Sequence, residues 1–210
     1  MNKYMIHIPF TKIYWDVKTF LLPKTPHLDD HFGVYCISGF QGTGKTYYAV
    51  NLANDIDLDG AEIWTNIHSL KLKHQNFTKL EEITSDFTPH RLYIIDEISS
   101  KYTKESRTDQ KFYRWLQQTR KRRSIVIMIT QEWKELPTWL RRPVSVHIST
   151  RPTFFQWLGF YATTWGDGKN LTYDKEEGEY ICPPIKTIIT KRNKKIAAPS
   201  KSISLAKLTA

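Results

Sequence analysis

The stretch His31-Phe-Gly-Val-Tyr-Cys-Ile-Ser38, continuing into Gly39-Phe-Gln-Gly-Thr-Gly-Lys45-Thr46, decides how this chain is read. Its first half is an apolar run of strand length that enters a glycine-rich turn. Its second half has two glycines separated by four residues, then Lys and Thr, which is the phosphate-loop pattern. Glycines let the backbone turn so that successive N–H groups point at phosphate oxygens, and the next helix N-terminus adds a favourable dipole. In that pattern Gly39, Gln41, Gly42, Thr43 and Gly44 form the cradle. Lys45 reaches the β- and γ-phosphates, and the Thr46 hydroxyl is a magnesium ligand. A helix is predicted over Thr46–Asp55, with Tyr47, Val50 and Ala53 or Leu52 at helical spacing.

Working outward, Leu92-Tyr-Ile-Ile-Asp96-Glu97 is an apolar strand that ends in two acids. In a parallel sheet this puts carboxylates at the edge where a nucleotide sits. Asp96 is expected to hold the magnesium ion, mostly through water, and Glu97 to polarise the attacking water as general base. Ile125-Val-Ile-Met-Ile-Thr130-Gln131 is a further apolar strand with polar residues at its end. If it lies between the phosphate-loop strand and the Asp-Glu strand, Gln131 reaches the γ-phosphate or its water. Thr65-Asn66, ending Ala61-Glu-Ile-Trp-Thr, places an amide near Glu97. Phosphoryl transfer also calls for a cation at the developing γ-charge, often an arginine from a neighbouring subunit. Arg142 is the first candidate and Arg120 the second, with Arg141 beside them. The chain has no Asn/Thr-Lys-x-Asp guanine-reading tetrapeptide, so ATP is expected rather than GTP.

The rest of the pattern alternates strands with helical segments. Thr108–Arg122 is predicted as a helix with Phe112, Trp115, Leu116 and Thr119 on one face, and Val144–Thr150 as a fifth strand. Most strands are continuously apolar, so the expected fold is α/β, a mostly parallel sheet covered by helices on both faces. Asn170–Lys191 reads as a hairpin around Lys175-Glu-Glu-Gly. The expected division is an N-terminal extension over 1–30, a P-loop ATPase domain over 31–190, and a basic disordered tail over 191–210.

At 210 residues the chain fits one domain with appendages, and its 40% hydrophobic and 25% charged content is that of a globular protein. The longest apolar-leaning stretch, Thr153–Trp165, is too short and too interrupted for the roughly 20 residues of a spanning helix. Two cysteines cannot build a disulfide framework, and the histidines are scattered without zinc spacing. The net charge of +10 is concentrated: Lys101–Arg123 and Lys186–Ala210 carry +7 each, which leaves −4 for the remainder. Concentrated basic segments on a mildly acidic body suggest a polyanionic partner.

The phosphate loop, the Asp-Glu pair and the Thr130-Gln131 strand end together resemble the catalytic-glutamate P-loop ATPases, and within them the HerA–FtsK group. That group has Thr-Gln after its fourth strand, an arginine before that strand and another near the start of the next, matched here by Arg120 and Arg142. The chain is similar to two branches: small ATPases that pump viral genomes, and Zot-like (zonular occludens toxin) proteins of filamentous phages. The Zot-like branch has a Thr-Asn strand end, as Thr65-Asn66 provides here. The resemblance implies a three-layer, RecA-like sheet, ATP and Mg2+ as cofactors, and a homo-oligomer, in these motors a ring. It further implies non-specific DNA contact through the backbone, and capsid or membrane-associated assembly partners. The expected function is an ATP-driven motor packaging a viral genome, in the host cytoplasm and associated with the virion. The alternatives are a Zot-like assembly ATPase, a nucleotide-dependent binding switch, and a small-molecule kinase. Zot-like proteins continue into a membrane helix; this sequence contains no such stretch, which favours the packaging motor.

Overall fold

In the computed structural model, residues 32–55, 61–70, 73–154, 156–175 and 179–191 are described. They run β1 (Gly33–Ser38), α1 (Lys45–Asp55), β2 (Glu62–Thr65), β3 (Gln75–Asn76), α2 (Leu80–Thr84), β4 (Arg91–Ile95), α3 (Ile98–Lys101) and α4 (Gln110–Gln117). Then follow β5 (Ile125–Ile129), α5 (Thr138–Arg141), β6 (Val144–Pro152), β7 (Phe160–Asp167), β8 (Thr172–Asp174), β9 (Glu179–Ile181) and β10 (Pro184–Lys191). The main sheet has eight strands in the order β10-β7-β6-β1-β5-β4-β2-β3. From β6 to β3 all neighbours are parallel. At the other end β7 runs antiparallel to β6, and β10 antiparallel to β7.

Every residue of β1 and β5 is buried, as continuous apolar runs covered on both faces must be. Side chains alternate between the faces, so each strand feeds two cores. Tyr35, Ile37, Ile127 and Ile129 pack against Tyr47, Tyr48, Ala49 and Ala53 of α1 on one face. Cys36, Tyr93, Ile95 and Met128 pack against Ile83, Ile98, Phe112, Trp115, Leu116 and Leu140 of the remaining helices on the other. The result is the three-layer α/β arrangement that the strand-and-helix alternation predicts.

Three local readings need correction. The helix expected over Thr108–Arg122 is α4 alone; it starts where the Asp109 carboxylate accepts the Lys111 and Phe112 N–H groups, and it ends at Gln117. Beyond it, Arg122 turns inward instead of facing solvent with its basic neighbours. It donates to the carbonyls of Asp86 and Trp115, each at 2.9 Å, and lies over the rings of Trp115 (4.9 Å) and Phe87 (5.5 Å). Second, the predicted Asn170–Lys191 hairpin is limited to β8 and β9, and β10 leaves it to join the main sheet. Third, part of the apolar-leaning stretch after Thr153 is the strand β7, which the sequence did not mark because a short turn at Gln156–Leu158 interrupts the alternation before it. The expected extension over 1–30 and the tail beyond Lys191 lie outside the described residues.

Candidate active site

Parallel strands collect their C-terminal ends on one edge, and this edge gathers the residues that the motifs nominate. The order β1-β5-β4 puts the Thr130-Gln131 strand between the phosphate-loop strand and the Asp-Glu strand. A cleft of ≈ 410 Å³ there is lined by Gln41, Gly42, Gly44, Lys45, Thr46, Asp96, Glu97 and Gln131, with Tyr47 beside them.

The loop that follows β1 is fixed from both flanks. The Gly39 N–H donates to the Gln131 carbonyl at 2.9 Å, joining the loop to the end of β5. On the β6 side a Cβ on Gly39 would lie 2.2 Å from Thr150 Oγ1 and 2.4 Å from its carbonyl, so only glycine fits. Gly42 and Gly44 hold φ of +80° and +83° and have open space where a side chain would be, which leaves their backbone bare to the cleft. Thr43 behaves differently from its neighbours. It is buried and its hydroxyl points into the fold, within 2.8 Å of Thr150 Oγ1 and of the Phe40 carbonyl. Its contribution to the cradle is therefore its backbone alone.

Lys45 Nζ donates to the Gly39 carbonyl at 2.7 Å and the Phe40 carbonyl at 3.1 Å, curling back over its own loop. Burial lowers its pKa, and the nearby Asp96 and Glu97 carboxylates oppose that shift. Thr46 Oγ1 donates to Asp96 Oδ2 at 3.1 Å. Burial raises the pKa of the Asp96 carboxyl, against the bonds it accepts from Thr46 and from the Glu97 N–H. These two hard oxygens, adjacent at the mouth of the cradle, suit a magnesium ion in ligand type and position. Asn66 lies next to them. Its amide binds the Asp96 backbone, donating to the Asp96 carbonyl at 3.0 Å and accepting the Asp96 N–H at 2.8 Å, which sets it beside the peptide that leads into Glu97. Glu97 is exposed and adopts φ 53°, ψ 44°, a left-handed conformation uncommon for a residue with a side chain.

The arginines lie elsewhere. Arg120 and Arg142, both exposed, line a second cavity of ≈ 340 Å³ together with Gly33, Val34 and Lys169. This is the start of β1, the sheet edge opposite the phosphate loop, about 17 Å away at 3.3 Å per residue. Neither can reach the cleft of its own chain. Arg141 is buried with its guanidinium over the Trp133 ring at 5.8 Å. One residue against the phosphate loop had no motif to mark it: Thr150, whose only signal is its place at the end of an alternating strand.

The family pattern of the ATPases associated with various cellular activities (AAA) matches residues 35–151, from within β1 to within β6. The chain belongs to the AAA ATPases. This AAA chain is a nucleotide-hydrolysing P-loop ATPase domain with the fold its motifs predict. Among solved structures, it is similar to the N-terminal domain of zonular occludens toxin from Neisseria meningitidis. That match has a TM-score of 0.58 at 19% identity, over 78% of this chain and 96% of that one. The genome packaging NTPase B204 from Sulfolobus turreted icosahedral virus 2, in complex with AMP, aligns with a TM-score of 0.43 at 14% identity, over 72% and 96%. Flagellar accessory protein FlaH from Methanocaldococcus jannaschii aligns at 0.47 and 17% identity, over 76% and 84%. No curated protein sequence matches this AAA ATPase. No helix among its described residues is long and apolar enough to cross a membrane.

Proposed function

We propose that this chain is an ATP-hydrolysing motor of the HerA–FtsK type that moves DNA, packaging a viral genome. The observation that carries the reading is the meeting of Lys45, Thr46, Asp96, Glu97 and Gln131 in one cleft. That set assigns a phosphate clamp, a cation site and two groups able to handle water, which favours water over an organic acceptor. In this reading Gly39, Gln41, Gly42, Thr43 and Gly44 cradle the phosphates through their backbone. Lys45 leaves the Gly39 and Phe40 carbonyls for the β- and γ-oxygens, Glu97 takes a proton from the attacking water, and Gln131 orients that water. Thr46 and Asp96 would hold a magnesium ion, which would supply neutralisation of the phosphate charge.

Arg142, with Arg120 second, acts as a finger in trans. Placed on the opposite edge of the sheet, it meets a nucleotide only if one subunit's β1-start edge faces the next subunit's phosphate loop. That contact is heterologous and closes into a ring. The exposed cations of Lys101–Arg123, without Arg122, and the basic tail contact the DNA backbone without reading sequence. Capsid or membrane-associated assembly proteins are the remaining partners, and the site of action is the host cytoplasm and the virion.

The test is phosphate release measured with and without DNA, together with the salt dependence of DNA binding. DNA-stimulated turnover and a log–log slope of several units, about 0.9 per phosphate contact, are expected. Turnover indifferent to DNA overturns the DNA motor and leaves an assembly ATPase of the Zot-like kind. Phosphate transfer to a nucleoside identifies a kinase, and binding without turnover identifies a switch.

A further inference from the structure

We propose that Thr150, at the end of β6, is a positioning residue of the phosphate loop, holding through its hydroxyl the loop shape that nucleotide binding needs. The inference rests on that loop being the nucleotide site. Thr150 is 4% exposed and lies directly behind the loop, where Gly39 packs against its side chain and carbonyl. Its hydroxyl donates to the Ser38 carbonyl at 3.1 Å and lies 2.8 Å from Thr43 Oγ1, which is itself 8% exposed. Ser38 is the last residue of β1 and Thr43 the middle of the loop, so one hydroxyl ties the loop's entrance to its crown. Behind it, Ser38 Oγ is hydrogen-bonded to His147 Nε2 at 2.8 Å, also on β6. β6 is thus the backing strand of the loop.

A count of protons shows what this arrangement does. Each threonine hydroxyl has one proton and can accept as well. With the Thr150 proton on the Ser38 carbonyl, the Thr43 proton is divided between Thr150 Oγ1 and the Phe40 carbonyl, both at 2.8 Å. The Phe40 carbonyl also accepts from Lys45 at 3.1 Å, as does the Gly39 carbonyl at 2.7 Å. A phosphate that draws Lys45 outward removes those donors. The Thr43 proton can then settle on the Phe40 carbonyl while Thr150 turns its own proton to Thr43 Oγ1. The two hydroxyls therefore keep the Phe40 carbonyl paired and the Thr43–Thr150 contact intact as Lys45 leaves, while the Gly39 and Ser38 carbonyls each give up a donor. Thr43 meanwhile stays tucked behind the loop, which keeps its side chain out of the phosphate path.

The experiment compares Thr150→Val, which keeps the shape and removes the hydroxyl, with Thr150→Ser, which keeps the hydroxyl. A fluorescent ADP analogue reports nucleotide affinity, and phosphate release reports KM and kcat for ATP. Thr150→Val is expected to weaken the analogue about tenfold and to raise KM similarly, while kcat changes less than threefold; Thr150→Ser is expected within twofold of the parent. Thr43→Val, which removes the other end of the bond the two hydroxyls share, is expected to weaken the analogue as well, and the double variant to lose less than the sum of the single losses. If Thr150→Val does not fold, the Thr43→Val and Thr150→Ser pair carries the test. Unchanged affinity and KM in Thr150→Val alongside a lower unfolding midpoint overturns the proposal, as does additive loss in the double variant. Failure of all forms, parent included, to bind the analogue indicts the nucleotide site itself.

Discussion

The Asn66 amide closes a two-bond clamp on the Asp96 peptide, donating to the Asp96 carbonyl at 3.0 Å and accepting the Asp96 N–H at 2.8 Å. The end of β2 thereby holds the end of β4 at the point where the chain turns from Asp96 into Glu97. An Asn66→Asp substitution keeps the acceptor and loses the donor, setting a carboxylate oxygen against a carbonyl. The expected cost is about 1–3 kcal/mol in denaturant unfolding, with a fall in kcat, because the Asp96–Glu97 peptide is no longer fixed. Normal turnover by Asn66→Asp would show that the clamp does not position the acids.

Glu97 combines a proposed chemical role with a strained backbone. Its left-handed φ of 53° costs about 1–2 kcal/mol for a residue with a Cβ, a penalty glycine does not have. Glu97→Gln and Glu97→Gly should both retain nucleotide and lose hydrolysis, whereas Lys45→Ala loses binding as well. Chemical unfolding separates the first two: Glu97→Gly is expected to exceed Glu97→Gln in stability by about 0.5–1 kcal/mol, after glycine's extra unfolded-state entropy is allowed for. A Glu97→Gln protein that turns over ATP normally removes Glu97 from the base role.

The separation of Arg142 from its own phosphate loop makes a mixing experiment decisive. Arg142→Ala and Lys45→Ala subunits should each be inactive, while mixed assemblies contain interfaces that pair an intact loop with an intact arginine. A finger of this kind contributes on the order of 10³–10⁵ in rate, so partial recovery of phosphate release on mixing is readily measured. Full activity of Arg142→Ala alone transfers the role to Arg120.

His147 predicts an acid-sensitive fold. Stacked on Trp133 with ring centroids 4.3 Å apart, its imidazole is pushed by burial down to about 4, below the ordinary 6.5. Below pH 6.5 the unfolded chain takes up a proton that the folded chain refuses, so stability falls as pH drops from 6.5 towards 4. The limit is about 1.4 kcal/mol per pH unit, and the ring's remaining solvent exposure reduces it. Denaturant unfolding between pH 7.5 and 4.5 should therefore show a shallower loss for His147→Gln than for the parent. Parallel curves would rule out His147 as the source.

Much of this site is legible in the sequence because its determinants are local. The spacing of Gly39, Gly44, Lys45 and Thr46 marks a glycine-rich turn and a helix start through local backbone preferences, although Gln131 and Thr150 also hold the loop in the folded chain. The apolar runs ending in Asp96-Glu97 and Thr130-Gln131 identify strands whose polar ends must emerge at one edge of a parallel sheet. Other features depend on which strands become neighbours. Thr150 is an ordinary buried position in β6 until β6 pairs with β1 and brings its hydroxyl under Thr43. Arg122 counts as a solvent charge in any sum over residues, yet the turn after α4 carries its guanidinium onto Trp115 and two carbonyls. The placement of Arg120 and Arg142 likewise follows from strand direction: both precede a strand, and strand starts collect on the edge away from the phosphates. Composition and motif spacing act along the chain, whereas hydrogen-bond partners and the edge on which a residue emerges are settled by pairing between segments more than 100 residues apart, such as Ser38 with His147 and Thr43 with Thr150.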